Sequence, residues 1–119
     1  MTDAHTTIGE LRELILEFVD ERDWQQFHSP KNLSMALIVE AAELVEHFQW
    51  LSERQSEELD HDRRAAVAEE LADILIYTLR LASQMEIDLG SAAWAKLEKN
   101  RRKYPVEKAR GTARKYTEL

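Results

Sequence analysis

No cysteine occurs anywhere in the chain. That excludes a disulfide scaffold, a zinc ribbon and thiol catalysis. Helix and strand breakers are nearly as scarce, with three Gly and two Pro in 119 residues. So few of them argue against a many-turned β fold and against a Gly-rich phosphate loop. Basic charge is in deficit too: 16 Lys and Arg against 23 Asp and Glu leave a net charge of −7. Nucleic-acid polymers attract proteins that neutralise phosphates with Lys and Arg, so such a polymer is not the expected partner. If this chain handles phosphates, it does so locally or through a divalent cation. No segment approaches the roughly 18 consecutive apolar residues of a membrane span. Met1 to Gly9 has no basic stretch followed by an apolar run, so no signal peptide is expected and the cytoplasm is the expected compartment. What is present is a chain 44% hydrophobic and 33% charged, long enough to bury one core without staples. It reads as a single all-α domain over residues 1–119, with an N-terminal tail at 1–6 and a basic C-terminal tail at 106–119.

Four helices are predicted. The first starts at the Thr7-Ile8-Gly9-Glu10 capping box and carries Ile8, Leu11, Leu14, Ile15 and Phe18 to about Asp23. Gln25 to Pro30 loses the period and forms a loop. Ser29 then caps a second helix with Pro30 at its first position, running to about Leu51. At about 100° per residue, Leu33, Leu37, Ala41, Leu44, Phe48 and Leu51 fall within a stripe of about 80°, a buried face. Ser52 to Arg64 is a polar connection. The third helix spans about Arg64 to Ile87 and is apolar over much of its girth, which predicts cover on two sides or a subunit interface. Ser91 is the expected cap of a fourth helix, Ala92 to about Lys103, ending at Tyr104-Pro105. The sequence of elements is that of a helical bundle.

Two acidic pairs stand out. Glu40 and Glu43 lie three apart on the second helix, and Glu70 and Asp73 three apart on the third. Residues at i and i+3 are neighbours on a helix surface. With Leu33 at zero, Glu40 falls at about −20° and Glu43 at about −80°, at the edge of the apolar face. Glu70, Asp73 and Tyr77 form one ridge beside the apolar surface of the third helix, and Trp50 falls near the angle of Glu43. Two such helices packed together bring four carboxylates close. Like charges sharing a semi-buried site protonate, spread apart or take up a cation. Oxygen-only ligands suit Mg²⁺, with Mn²⁺ as a substitute. The plainer reading is that both pairs are solvated surface charge, common in a chain this rich in Glu. Glu58 and His61 match a di-iron Glu-x-x-His pair once, in the polar connection and without a second copy, and are read as coincidence.

Trp24 and Trp50 lie at helix ends beside polar loops, where rings line pockets as well as cores. Nucleobases stack on such rings for about 1–3 kcal/mol each. His28, just before a helix start, is a position more often structural than catalytic. Lys96, Asn100 and Lys103 make a stripe on the fourth helix that is either solvated or phosphate-facing.

The chain resembles a known family at these residues. Glu40-x-x-Glu43, followed after 26 residues by Glu70-x-x-Asp73, is similar to the signature of the all-α NTP pyrophosphohydrolases, the MazG-like superfamily. The segments Asp23 to Leu33, Phe48-Gln49-Trp50, Asp73 to Tyr77 and Lys96 to Pro105 resemble its dCTP pyrophosphatase branch. The resemblance covers about Ile8 to Leu119. It implies a four-helix MazG-like bundle that assembles as dimers or dimers of dimers. It implies the reaction NTP + H₂O → NMP + PPi with Mg²⁺, on dCTP or modified deoxycytidine triphosphates, in nucleotide-pool sanitation. By the resemblance Glu40, Glu43, Glu70 and Asp73 hold the metal, and Glu40 or Glu43 orients or deprotonates the attacking water. Trp24, His28, Trp50 and Tyr77 form the base and sugar pocket, and Lys96 and Asn100 reach phosphate or sugar. The alternatives are the same chemistry on dUTP, phosphoribosyl-ATP or a damaged purine triphosphate, and a non-enzymatic helical oligomerisation module.

Overall fold

Local sequence sets the helix starts. In the computed structural model, which describes residues 1–119, Thr7 and Glu10 satisfy each other's backbone: Thr7 N–H donates to the Glu10 carboxylate at 2.8 Å, and Glu10 N–H donates to Thr7 Oγ1 at 3.1 Å. Helix α1, Ile8–Glu21, follows from that box. It stops two residues short of the expected end. Asp23 takes φ 53°, and Trp24 N–H donates back to the Val19 carbonyl at 3.1 Å, closing the turn. A 3₁₀ turn, Gln25–Phe27, fills the loop. Ser29 then caps α2, Pro30–Glu46, by accepting from Asn32 N–H at 3.2 Å.

The second helix ends earlier than its apolar period suggests. From His47 to Leu51 the chain continues as tightening turns, with Phe48 N–H donating to the Val45 carbonyl at 2.9 Å and Leu51 N–H to Phe48 at 2.9 Å. The polar connection is not all loop: Ser52 and Gln55 form a second capping box that starts the short α3, Glu53–Glu57. Asp60 caps α4, His61–Gln84, by accepting from Arg63 N–H at 2.8 Å, so this helix begins three residues before the expected Arg64. The fold is all-α, with no strand.

The chain divides into two compact units, residues 1–86 and 87–119. In the first, α2 and α4 pack along each other and α1 packs on α4. Arg12 Nε donates to Ser83 Oγ at 3.0 Å, tying α1 to α4. Val19, Leu33, Leu79 and Ala82 are the buried apolar residues, with Leu33 and Leu79 only 1% exposed. A core this small concentrates its cost. Leu79→Ala is expected to lower the unfolding free energy by about 2–5 kcal/mol, read by urea denaturation. Outside it, the predicted stripe of α2 is only half-covered beyond Leu33. On α4, Leu71, Leu75 and Ile76 are exposed, in keeping with a helix apolar over much of its girth.

The second unit holds α5, Leu89–Lys103, and α6, Val106–Ala109. Asp88 caps α5, its side chain accepting from Ser91 N–H at 2.8 Å. The expected cap, Ser91, is therefore inside the helix, because the carboxylate three residues earlier captures its N–H. The basic tail is not unstructured. It ends in a 3₁₀ turn, Tyr116–Glu118, with Tyr116 edge-on to Tyr104 at 6.0 Å and under Lys103 Nζ at 4.6 Å. No helix in the chain is long and apolar enough to cross a membrane.

Candidate metal centre and adjoining cavity

The packing of α2 on α4 decides which acidic side chains meet. Carboxylate oxygens of Glu40, Glu43 and Glu70 lie within 4.8 Å of one another. The i, i+3 spacing places Glu40 and Glu43 one turn apart on α2, and α4 presents Glu70 across the interface. Two of the oxygens, Glu40 Oε2 and Glu70 Oε2, are buried and accept no hydrogen bond. A buried acceptor left without a donor is costly, the more so when it is charged.

The electrostatics carry the same strain. Burial first, then the Glu43 hydrogen bond and the charges of Glu43, Asp73 and Glu70, push the Glu40 carboxyl up to about 7 from 4.5. Glu70 is raised as well, again by burial first, then by the charge and hydrogen bond of Glu43 and the charge of Asp73, against a smaller opposing hydrogen bond from Glu40. Glu43 is thus a neighbour that both perturbed groups share. His47 Nε2 stands 3.8 Å from Glu70 Oε1, the nearest cationic relief when protonated. Orphaned buried oxygens, an all-oxygen donor set and raised proton affinity are what a hard divalent cation would relieve. The residues fit Mg²⁺ or Mn²⁺. Asp73 does not join the three-carboxylate group, but its charge acts on both Glu40 and Glu70.

Asp73 also lines a cavity of about 520 Å³ between α1 and α4, walled mainly by apolar side chains. Trp24, His28 and Tyr77 line it together with Asp73, so three of the predicted pocket residues converge beside an acid of the cluster. Trp24 meets Phe18 edge-on at 5.7 Å. A mostly apolar cavity with a few polar groups at one side suits a flat heterocycle joined to a charged tail.

The other predicted site residues are placed differently. Trp50 follows the end of α2, is 87% exposed and does not line the cavity; its expected angle near Glu43 required the helix to continue to Leu51. Lys96 and Asn100 lie on α5 in the second unit. Sequence reasoning missed His47 and Arg80. Arg80 lines the cavity and is 3% exposed, bonded through Nε to His28 Nδ1 at 3.0 Å and through its guanidinium to Gln25 Oε1. The available signal was a lone Arg in the apolar run Ile74 to Ala82.

Comparison with known proteins places this geometry in a lineage. The chain is 47% identical to dCTP pyrophosphatase 1 of Bos taurus over 118 residues, which is 98% of this chain and 70% of the relative. It is 46% identical to dCTP pyrophosphatase 1 of Homo sapiens over 115 residues, covering 95% and 68%. The crystal structure of a pyrophosphatase from Archaeoglobus fulgidus DSM 4304 is similar with a TM-score of 0.79 and 42% identity, over 88% of this chain and 98% of that one. A model of the MazG-like family matches residues 35–119, a stretch that includes both acidic pairs. The chain belongs to the MazG-like family.

Proposed function

We propose that this protein hydrolyses dCTP, or a modified deoxycytidine triphosphate, to the monophosphate and pyrophosphate with Mg²⁺. Its class is that of its relatives, a hydrolase of nucleotide anhydride bonds. The observation that carries the reading is the cluster of Glu40, Glu43 and Glu70, with two buried oxygens lacking donors, whose neighbour Asp73 lines an aromatic cavity.

Hydrolysis joins a water oxygen to the α-phosphorus and breaks the α–β anhydride, the electron pair leaving on pyrophosphate. Glu40, Glu43, Glu70 and Asp73 would hold the divalent ion. When bound, that ion neutralises triphosphate oxygens and lowers the pKa of water. Glu40 or Glu43 orients the attacking water and accepts its proton, and a general base works best with a proton affinity near the working pH. Trp24 and Tyr77 flank the base and sugar, with Phe18 and Ile76 forming part of the apolar wall. Lys96 and Asn100 are proposed as phosphate or sugar ligands on the sequence resemblance alone.

The exposed apolar side chains favour assembly as a homodimer or a dimer of dimers. Ile38 is 66% exposed, and Leu71, Leu75 and Trp50 are exposed on or beside the same two helices. Apolar surface on this scale marks an interaction site. Light scattering is expected to give two or four chains, with Ile38→Glu shifting the protein to smaller species. The proposed setting is the cytoplasm, where the reaction would clear unwanted deoxycytidine triphosphates from the nucleotide pool.

A panel of nucleoside triphosphates with Mg²⁺ tests the activity. The expected result is dCMP and pyrophosphate from dCTP, with kcat/KM about tenfold or more above that for dUTP or a purine triphosphate. Orthophosphate as product, or no turnover of any nucleotide, overturns the reading. A preference for dUTP, phosphoribosyl-ATP or a damaged purine triphosphate reassigns the substrate.

A further inference from the structure

A chain of hydrogen bonds behind the cavity ends on His28, and its direction is set by chemistry. Arg80 is 3% exposed within the apolar stretch of α4. Guanidinium has five N–H donors and no acceptor. Its Nε donates to His28 Nδ1 at 3.0 Å, and another of its nitrogens donates to Gln25 Oε1. Gln25 in turn donates through Nε2 to Asp20 Oδ1 at 2.7 Å. Gln84 Nε2 donates to the His28 carbonyl at 2.7 Å, holding the backbone in place.

Because Arg80 can only donate, His28 Nδ1 must carry its lone pair. A neutral imidazole has one N–H, so that proton is on Nε2. That leaves Nε2 as the donor of the ring, and His28 lines the cavity with Trp24 and Tyr77. Asp73 and Tyr77 of α4 are the other titratable groups of that wall, and Asp20 of α1 offsets the charge of Arg80. Burial and the adjacent guanidinium both hold His28 below its ordinary proton affinity, which supports a neutral ring.

We propose that Arg80 is a positioning residue that locks His28 as the Nε2–H tautomer, so that His28 presents a fixed donor to the cavity and selects a pyrimidine whose N3 is an acceptor. The proposal rests on reading the cavity as the base pocket. Cytosine presents lone pairs at N3 and O2. Uracil and thymine carry a proton at N3, which would set N–H against N–H. A site built around one hydrogen bond discriminates strongly against a ligand that cannot complete it.

The test combines spectroscopy with kinetics. Long-range ¹H–¹⁵N spectra of histidine-labelled protein at about pH 8, above the ordinary range of an imidazole, are expected to show His28 as a single neutral Nε2–H tautomer. In Arg80→Met the ring is expected to exchange between tautomers and to protonate more readily, with Arg80→Lys giving partial rescue. The dCTP to dUTP ratio of kcat/KM should fall about tenfold or more in Arg80→Met, mostly through KM for dCTP. On the unaltered protein, 3-deaza-dCTP, which lacks the N3 acceptor, should lose about tenfold or more in kcat/KM against dCTP. An Nδ1–H or charged ring in the unaltered protein overturns the proposal. So does an unchanged dCTP to dUTP ratio in folded Arg80→Met, or 3-deaza-dCTP turned over as well as dCTP. Should Arg80→Met not fold, the spectrum and the analogue on the unaltered protein decide. If no pyrimidine triphosphate is turned over at all, the proposed function falls, while the spectrum still reads the tautomer.

Discussion

Glu43→Gln is expected to abolish hydrolysis while making the metal-free protein more stable. Glu43 lies beside both Glu40 and Glu70, and it contributes to the raised proton affinity of each. Gln keeps its size and can donate from its amide, but it removes the charge. The two remaining carboxylates then sit beside a neutral donor instead of a third anion. The melting temperature without divalent ions should rise, most clearly above about pH 7, where Glu40 has lost its proton. The same substitution removes a metal ligand and a candidate for the water-activating group, so kcat/KM should fall by about three orders of magnitude or more. It should also erase the stabilisation by Mg²⁺, which for the native protein amounts to about 2.7 kcal/mol at a hundred times the dissociation constant. Opposite signs for stability and activity are the signature of a site held together by strain. Activity within tenfold of the native protein, with Mg²⁺ still raising the melting temperature, would show that Glu43 is surface charge.

Mg²⁺ affinity is expected to climb with pH and level off above about 7. The Glu40 carboxyl titrates at about 7 in the folded chain instead of 4.5. Between those values the native state keeps a proton that the unfolded chain has lost. Metal-free stability is therefore highest below the lower value and is lost as pH rises through the upper one. The cation needs the ionised carboxylate, so below about pH 7 each ion displaces a proton and affinity changes about tenfold per pH unit for each proton released. Glu70, raised in the same direction, steepens the dependence. Calorimetric titrations at pH 6, 7 and 8, in buffers of different ionisation enthalpy, read both affinity and protons released. A pH-independent affinity with no proton release would mean that the cluster does not bind the ion through Glu40.

The helix starts were legible because a cap is a local device. Thr7 and Ser29 each lie within three residues of the N–H they satisfy, so spacing alone identifies them. The same logic faltered where caps compete. Asp88 and Ser91 both qualify, and only the geometry shows Asp88 accepting from Ser91 N–H. The end of α2 was less legible still. The apolar period runs on to Leu51, but the backbone tightens after Glu46, and the angular argument for Trp50 ended with the helix. Trp50 stands in solvent, where a second copy of the chain is its proposed cover.

Residue type and spacing were sufficient for the all-α class, the two acidic pairs and the aromatic residues around His28, because each depends on neighbours within one or two helical turns. Tertiary structure decided which of them meet. The register of α2 against α4 brings Glu40, Glu43 and Glu70 together and leaves two oxygens buried without donors, with Asp73 beside them as a charge. It also runs Arg80, an unremarked cation in an apolar stretch, under His28 on a loop more than fifty residues away, at 3.0 Å. Periodicity reports which face of a helix a residue occupies. It carries no information about what stands opposite, and at this site the opposing group sets charge, proton position and the chemistry that follows.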